Sequence, residues 1–316
     1  MIESDHPTRV LLVGATGMLG ARTAHHLLAQ GADLRLLVRD PAQRDPRKAA
    51  SLTALARAGA TVVRGDLSDD AAIGTATTGV DVVVSTVQGG PDVIVDGQVS
   101  LARVAAANGV RRILPSDFAL DVFRSPPGLN PMFDMRRQAD EAIAEIGIEH
   151  VHVLNGAFLD MFLNPAMAGF FDHERGVATY WGTGEERFDA TTVEDTARFT
   201  ARAALDVTVA SGKFAVAADQ LSFGGMTDTV EHLSGRRYER ESLGTVEDLR
   251  ARLEQARESN PDPTVWVQLA YLVLMLTGRT ALSDVQNERY PDLQPENFDA
   301  YARRIWPSVL TSERVS

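Results

Sequence analysis

From Arg9 to about Leu154, short aliphatic runs alternate with longer stretches whose apolar residues recur at helical spacing. The runs are Val10–Val13, Leu34–Val38, Thr61–Val63, Val80–Val84, Arg112–Leu114 and Val151–Leu154. Between them, Ala-rich amphipathic stretches near 18–30, 48–58, 68–77, 93–107 and 132–146 predict helices. Gly31, Gly59, Gly109 and Gly147 stand where left-handed C-caps end such helices. Strands that are apolar throughout belong to a parallel sheet covered on both faces. With right-handed crossovers, the pattern predicts a doubly wound α/β fold.

After about Asn155 the rhythm changes. "GFFDHERGVATYWGTGEERFDA" mixes aromatic and turn residues, and Thr245–Glu258, Val265–Leu276 and Pro295–Ile305 read as helices. The expected division is therefore a doubly wound domain over 1–155 and a smaller α+β part over 156–316, some of whose segments pack back on the first. The helix "VWVQLAYLVLML" is apolar on all sides, which predicts burial; Trp266, Tyr271 and Met275 then favour an apolar ligand. Asp40–Arg47 and "SPPGLNP" (Ser125–Pro131) read as loops, the second mobile over the site.

Composition narrows the function. The chain has 316 residues, a net charge of −12 and no cysteine. An acidic protein lacks the basic face that nucleic acid requires, and the same charge disfavours anionic membranes. Without cysteine there is no disulfide, thiolate nucleophile or Cys-ligated metal. The acidic start, Met1–Asp5, has no apolar core. Val265–Leu276 is about half the roughly 20 residues that span a bilayer. A soluble, cytoplasmic protein is expected. A homodimer is compatible with the sequence, which marks no interface.

The candidate chemistry begins at "VGATGMLG", Val13–Gly20. Gly14-x-x-Gly17-x-x-Gly20 leaves a strand and enters a helix, with a second strand beginning 14 residues after Gly20, the context a dinucleotide cradle needs. Gly14 permits the turn, Gly17 admits a pyrophosphate and Gly20 lets helix and sheet approach. Backbone from Thr16 through Met18, Leu19 and Gly20 supplies amides for the phosphates. The next strand ends in Arg39, where a guanidinium suits a 2′-phosphate, and Arg44, Arg47 and Lys48 follow. NADP(H) is the expected cofactor; Asp40 leaves NAD(H) open. Asp66 ends the third strand and Thr86 and Val87 the fourth, at the edge where such sheets bind ligands. Each can also be a plain turn or cap residue.

These pieces, with "LVRD", "GDLSD", "GVDVVVSTV", "RRILPSDFALD" and "IGIEHVHVLNGAF", resemble in order and spacing the isoflavone reductase-like, NmrA-type atypical short-chain dehydrogenases over nearly the whole chain. The resemblance implies a Rossmann domain binding NADPH and a smaller domain closing a hydrophobic substrate cleft. It assigns Gly14, Gly17 and Gly20 to the pyrophosphate loop, Arg39 and Lys48 to the 2′-phosphate, and Ser116 and Phe118 to the nicotinamide and substrate. Reductases of the group carry a lysine in a Phe-x-x-Lys pattern; here Phe133-Asp134-Met135-Arg136 stands instead, with Met132 where the wider superfamily has tyrosine. Lysine can lose its proton when buried, whereas arginine keeps it.

Arg136 is thus expected to position or polarise, with Ser116 bonding the reacting oxygen. Asp117, Asp121 or Asp134 is a candidate proton donor, unless each is a loop or cap residue. Phe118, Phe158, Tyr180 and Trp266 are the expected substrate contacts. His173 reads as a surface loop residue, His25 and His26 as solvated, and His150 and His152 as a polar strand edge; no metal site is expected. The reading that results is an NADPH-dependent reductase of a small hydrophobic aromatic or polyketide-like substrate, acting on C=O, C=N, conjugated C=C or a benzylic ether. The alternative is a non-catalytic NADP(H) sensor working through protein partners.

Overall fold

The computed structural model describes residues 6–39, 45–163 and 169–312, and the side chains of these up to residue 307. The chain divides into two compact units. Unit 1 takes Met1–Phe118, Met135–Leu154 and Thr196–Phe214; unit 2 takes Ala119–Asp134, Asn155–Asp195 and Ala215–Ser316.

Unit 1 alternates β1 (Arg9–Val13), α1 (Met18–Ala29), β2 (Asp33–Val38), α2 (Pro46–Arg57), β3 (Thr61–Arg64), α3 (Asp70–Thr77), β4 (Val82–Ser85), α4 (Gln98–Ala107), β5 (Arg112–Leu114), α5 (Pro131–Ile146, begun in unit 2) and β6 (Glu149–Leu154). Unit 2 opens with β7 (Ala157–Phe158), β8 (Phe171–Asp172), β9 (Val177–Tyr180) and β10 (Phe188–Thr191); α6 (Val193–Leu205) and β11 (Gly212–Ala215) then return the chain to unit 1. It closes with β12 (Asp219–Leu221), α7 (Phe223–Ser234), β13 (Glu239–Ser242), α8 (Val246–Ser259), α9 (Val267–Leu276) and α10 (Phe298–Ser312).

The main sheet has seven strands in the order β11-β6-β5-β4-β1-β2-β3. The pairs β1–β2, β1–β4, β2–β3, β4–β5 and β5–β6 are parallel. Sequential order reverses between β1 and β4, which makes a switch point there. Its core joins Leu11, Val13 and Val83 to Leu101 and Ile143 of the covering helices. Gly31, Gly59, Gly109 and Gly147 all take positive φ, as helix-ending glycines do. The helix read over 93–107 begins instead as a π-helical turn, Asp92–Gly97, from which Gln98 sends its amide back to the Ile94 carbonyl. Arg47, read as loop, lies in the first turn of α2, because Asp45 caps that helix and Pro46 presets its φ. Asp40 and Arg44 lie outside the described residues, as does Met1–Asp5.

Unit 2 carries two small sheets, β12-β10-β7 and β13-β9-β8. The aromatic segment contributes β8, β9 and β10 to them, and Phe162, Phe170, Phe188 and Tyr180 gather around Phe223. The apolar helix is only partly covered: Val265 is 57% exposed in a 3-10 turn ahead of α9. "SPPGLNP" is pinned within unit 2, with Gly128 N–H donating to Asp134 and the Gly128 carbonyl accepting from Arg257. Among the described residues no helix is long and apolar enough to cross a membrane.

Candidate active site

The glycine loop joins β1 to α1. Gly14 takes φ +87°, and a Cβ there would lie 2.6 Å from the Thr86 carbonyl oxygen. A Cβ on Gly20 would run into the Gly14 carbonyl and the Thr86 hydroxyl, which itself donates to Val13 O at 2.9 Å. These two glycines therefore let β1, β4 and α1 meet. Gly17 differs: its φ of −80° suits any residue, and a Cβ would find only Gly14 O, at 3.3 Å. That contact is tight, and no other atom lies within 4 Å of the position. Gly17 is also the N-cap of α1 and offers no capping side chain; the first intrahelical bond runs from Ala21 N–H to Gly17 O. The amides of Met18, Leu19 and Gly20 precede that bond and face the helix's positive end. An anion is the natural partner of such an end.

Arg39 leaves β2 at the same carboxyl edge with its side chain 76% exposed, and its Nε lies 3.8 Å from Asp66 Oδ2. Asp66 accepts from the Ser68 amide and hydroxyl at 3.0 and 2.9 Å, and the amide bond foremost lowers its pKa. Its carboxylate is thus occupied locally and lies at ion-pair distance from Arg39 without a hydrogen bond to it. Lys48 is exposed on α2.

A second group of side chains collects at the carboxyl ends of β4, β5 and β6. Ser116 donates its hydroxyl to Val87 O at 2.8 Å, and its amide donates to Gln98 Oε1 at 2.7 Å. Its hydroxyl proton is therefore committed, and towards a ligand it offers lone pairs. Arg136, buried on α5, donates Nε–H to Ser116 O at 3.0 Å. Next to Ser116, the fully buried Asp117 places Oδ2 2.8 Å from His152 Nδ1. Asp140, one turn after Arg136 on α5, sits 3.5 Å from the same nitrogen.

Asp140 and His152 went unrecognised in the sequence. β6 lies between β5 and β11, not at an edge, so His152 is buried where a polar strand edge was expected. The i, i+4 spacing of Arg136 and Asp140 was the available signal, though nothing in the sequence tied that helix face to Asp117. Burial, then the nearby Asp117 charge, pushes the Asp140 pKa up to about 10.

The other expected residues are dispersed. Asp121 caps the 3-10 turn Val122–Arg124 and Asp134 holds Gly128, both local duties. Phe118 lies half-buried in unit 1 after Asp117, and Phe158 half-buried in β7 of unit 2. Tyr180 is buried and stacked on Phe223 at 5.9 Å. Trp266 is buried under Arg257 and donates its indole N–H to Asn260 O. His173, expected on a surface loop, is 5% exposed and bonds Tyr238 Oη through Nδ1 at 2.9 Å, because β8 and β9 fold the aromatic segment inward. His25 is exposed and His26 half-exposed on α1.

A model of the NmrA-like family matches residues 6–273. Pinoresinol reductase 2 of Arabidopsis thaliana is 34% identical over 62% of this chain and 64% of its own length, under two thirds of that protein. Phenylcoumaran benzylic ether reductase IRL1 of Ginkgo biloba is 26% identical over 94% of this chain and 99% of its own. Among solved structures, AtPrR2 with NADP+ and (+)pinoresinol superposes with a TM-score of 0.84 at 25% identity, over 95% of this chain and 99% of that one.

Proposed function

Because this chain belongs to the NmrA-like family, we propose that it is an NADPH-dependent reductase of a small, largely hydrophobic aromatic substrate, with a benzylic ether as the leading class of bond reduced. The observation that carries this is the conjunction, on one sheet edge of unit 1, of an anion cradle at Gly17, an exposed Arg39 and the buried Ser116–Arg136 pair. The names of the pinoresinol and phenylcoumaran benzylic ether reductases favour the bond class.

The cradle fits a dinucleotide on structural grounds: a Gly17 Cβ would already press on Gly14 O at 3.3 Å with no other atom within 4 Å, and three helix-start amides precede the first helical bond. NADPH supplies a hydride when bound. The chain's residues do the rest. Amides of Met18–Gly20 hold the pyrophosphate, and Arg39, beside Asp66, takes the 2′-phosphate, with Lys48 on the neighbouring helix. Thr86 and Val87 shape the edge beside the loop.

Cleaving a benzylic ether leaves an oxyanion. Arg136 meets it with a permanent positive charge, stabilising it without giving up a proton. Its Nε–H···O bond to the Ser116 backbone fixes the guanidinium. Proton delivery then falls to water or a carboxyl rather than to a lysine. Phe118, half-buried next to Asp117 in unit 1, supplies apolar surface proposed for an aromatic ring.

The test follows NADPH absorbance with the protein and a panel of benzylic ethers, enones, imines and aromatic ketones, with NADH in parallel. Oxidation with benzylic ethers supports the reading. Tight NADPH binding without turnover across the panel refutes it and favours the cofactor sensor, for which the arginine in place of lysine is the motivating feature.

A further inference from the structure

The ligand atoms of Asp117, Asp140 and His152 all lie within 4.8 Å of one another, and all three residues are buried. Asp117 Oδ1 and both Asp140 oxygens meet no N–H or O–H donor. Three orphaned acceptors in one dry space are too costly to leave unfilled. A cation is one way to fill them. However, His152 Nδ1 and Asp117 Oδ2 are already hydrogen-bonded at 2.8 Å, closer than the roughly 3.3 Å between ligands on a tetrahedral zinc. Arg136 brings a positive charge to the same place. A single proton shared between Asp140 and Asp117 Oδ1 satisfies two of the three without that conflict and removes the charge from the third.

We propose that Asp140 is kept as a neutral carboxylic acid that donates to Asp117 Oδ1, and that this His152–Asp117–Asp140 chain is a positioning device for Ser116 and Arg136. With Asp117 ionised, His152 donates from Nδ1. Each oxygen of Asp117 then has a donor, and the one oxygen left without a donor belongs to the neutral Asp140 acid. The chain ties the segment after β5 to β6 and α5, the elements that present Ser116 and Arg136. Among the described residues, the charged or titratable groups facing Asp140 are Asp117 after β5, His152 on β6 with the His150 ring tilted beside it at 5.2 Å, and Arg136 and Glu141 on α5. Burial raises the Asp140 pKa most, Asp117 adds to it, and Arg136 opposes.

The linkage has a definite sign. The unfolded chain releases the Asp140 proton near pH 4 and the folded chain only near 10. As pH rises between these values, this group makes the wild type progressively easier to unfold, by up to tenfold in the unfolding constant per pH unit. Asp140→Asn mimics the neutral acid and removes that pH dependence.

Denaturant unfolding of wild type and Asp140→Asn between pH 5 and 9 tests this. The ratio of unfolding constants, wild type over variant, is expected to climb at least threefold per pH unit. A flat ratio, or an Asp140→Asn chain that does not fold, overturns the proposal. Infrared spectra at pH 8 give a check on the wild type alone: a protonated-carboxyl band is expected, and its absence overturns the shared proton. Stoichiometric zinc or another divalent ion retained by the purified protein also overturns it.

The positioning role rests on the reductase reading. There, Asp140→Ala should lower kcat about tenfold with NADPH affinity unchanged, and Asp140→Asn should restore most of it; equal loss in both variants overturns the role. If the wild type has no turnover, the reductase reading fails while the unfolding and infrared results still decide the proton.

Discussion

Replacing Arg39 with alanine separates a phosphate contact from a fold contact. The side chain is 76% exposed, and its 3.8 Å approach to Asp66 is an exposed ion pair, of the kind that contributes about 0–1 kcal/mol. Asp66 keeps its Ser68 bonds without it. The melting temperature of Arg39→Ala should therefore stay within a few degrees of wild type. Towards a 2′-phosphate the same guanidinium makes charge-assisted, bidentate bonds, together about 1.5–3 kcal/mol. That is roughly a 10- to 150-fold rise in the NADPH Kd. NADH has no such group, and its Kd should move by less than about threefold, within the scatter of a surface substitution. Calorimetric titration of both cofactors at low and high salt reads the two numbers. Because the contact is exposed, the NADPH penalty should shrink as salt rises. Equal losses for the two cofactors, or an unchanged NADPH Kd, would refute the 2′-phosphate assignment.

Three further outcomes follow from the geometry. Gly17→Val should still fold, since φ is −80° and a shift of a few tenths of an ångström relieves its one tight contact, Gly14 O at 3.3 Å, yet lose both cofactors by roughly a hundredfold or more, the size of several charge-assisted bonds; retained binding would make the loop a mere turn. Arg136→Lys should hold or raise turnover, because an ammonium can also reach Ser116 O and can yield a proton; loss of activity would show that the fork or the permanent charge is needed. His173 is held neutral mainly by burial, its pKa lowered. The unfolded chain therefore takes up a proton first as pH drops below about 6.5, and stability conferred by the neutral ring is lost there. His173→Gln should flatten the fall in melting temperature between pH 7 and 5, and identical slopes would exclude burial of this histidine as its cause.

How much of this was legible depends on the range of the interaction involved. Periodicity along the chain is a local property, and it determined six of the seven strands of the main sheet, β1 to β6, the helices between them and the glycines that end those helices. The Gly14–Gly20 loop was legible for the same reason: turn, cradle and helix start all lie within seven residues. Family resemblance over "RRILPSDFALD" and Phe133–Arg136 brought Ser116 and Arg136 forward together, although pattern alone cannot join residues 20 apart in sequence.

The rest required the tertiary structure. A histidine on a strand reads the same at an edge or between two strands; only the return of the chain through α6 to β11 covers β6 and buries His152. His173 was misread because its burial depends on Tyr238, 65 residues away. The meeting of Asp117, Asp140 and His152 depends on where α5 lies over β5 and β6. Asp140 is an ordinary helix carboxylate in the sequence. It becomes a buried acid because the fold removes water and sets a second carboxylate beside it, and desolvation and charge proximity exist only once the chain has folded.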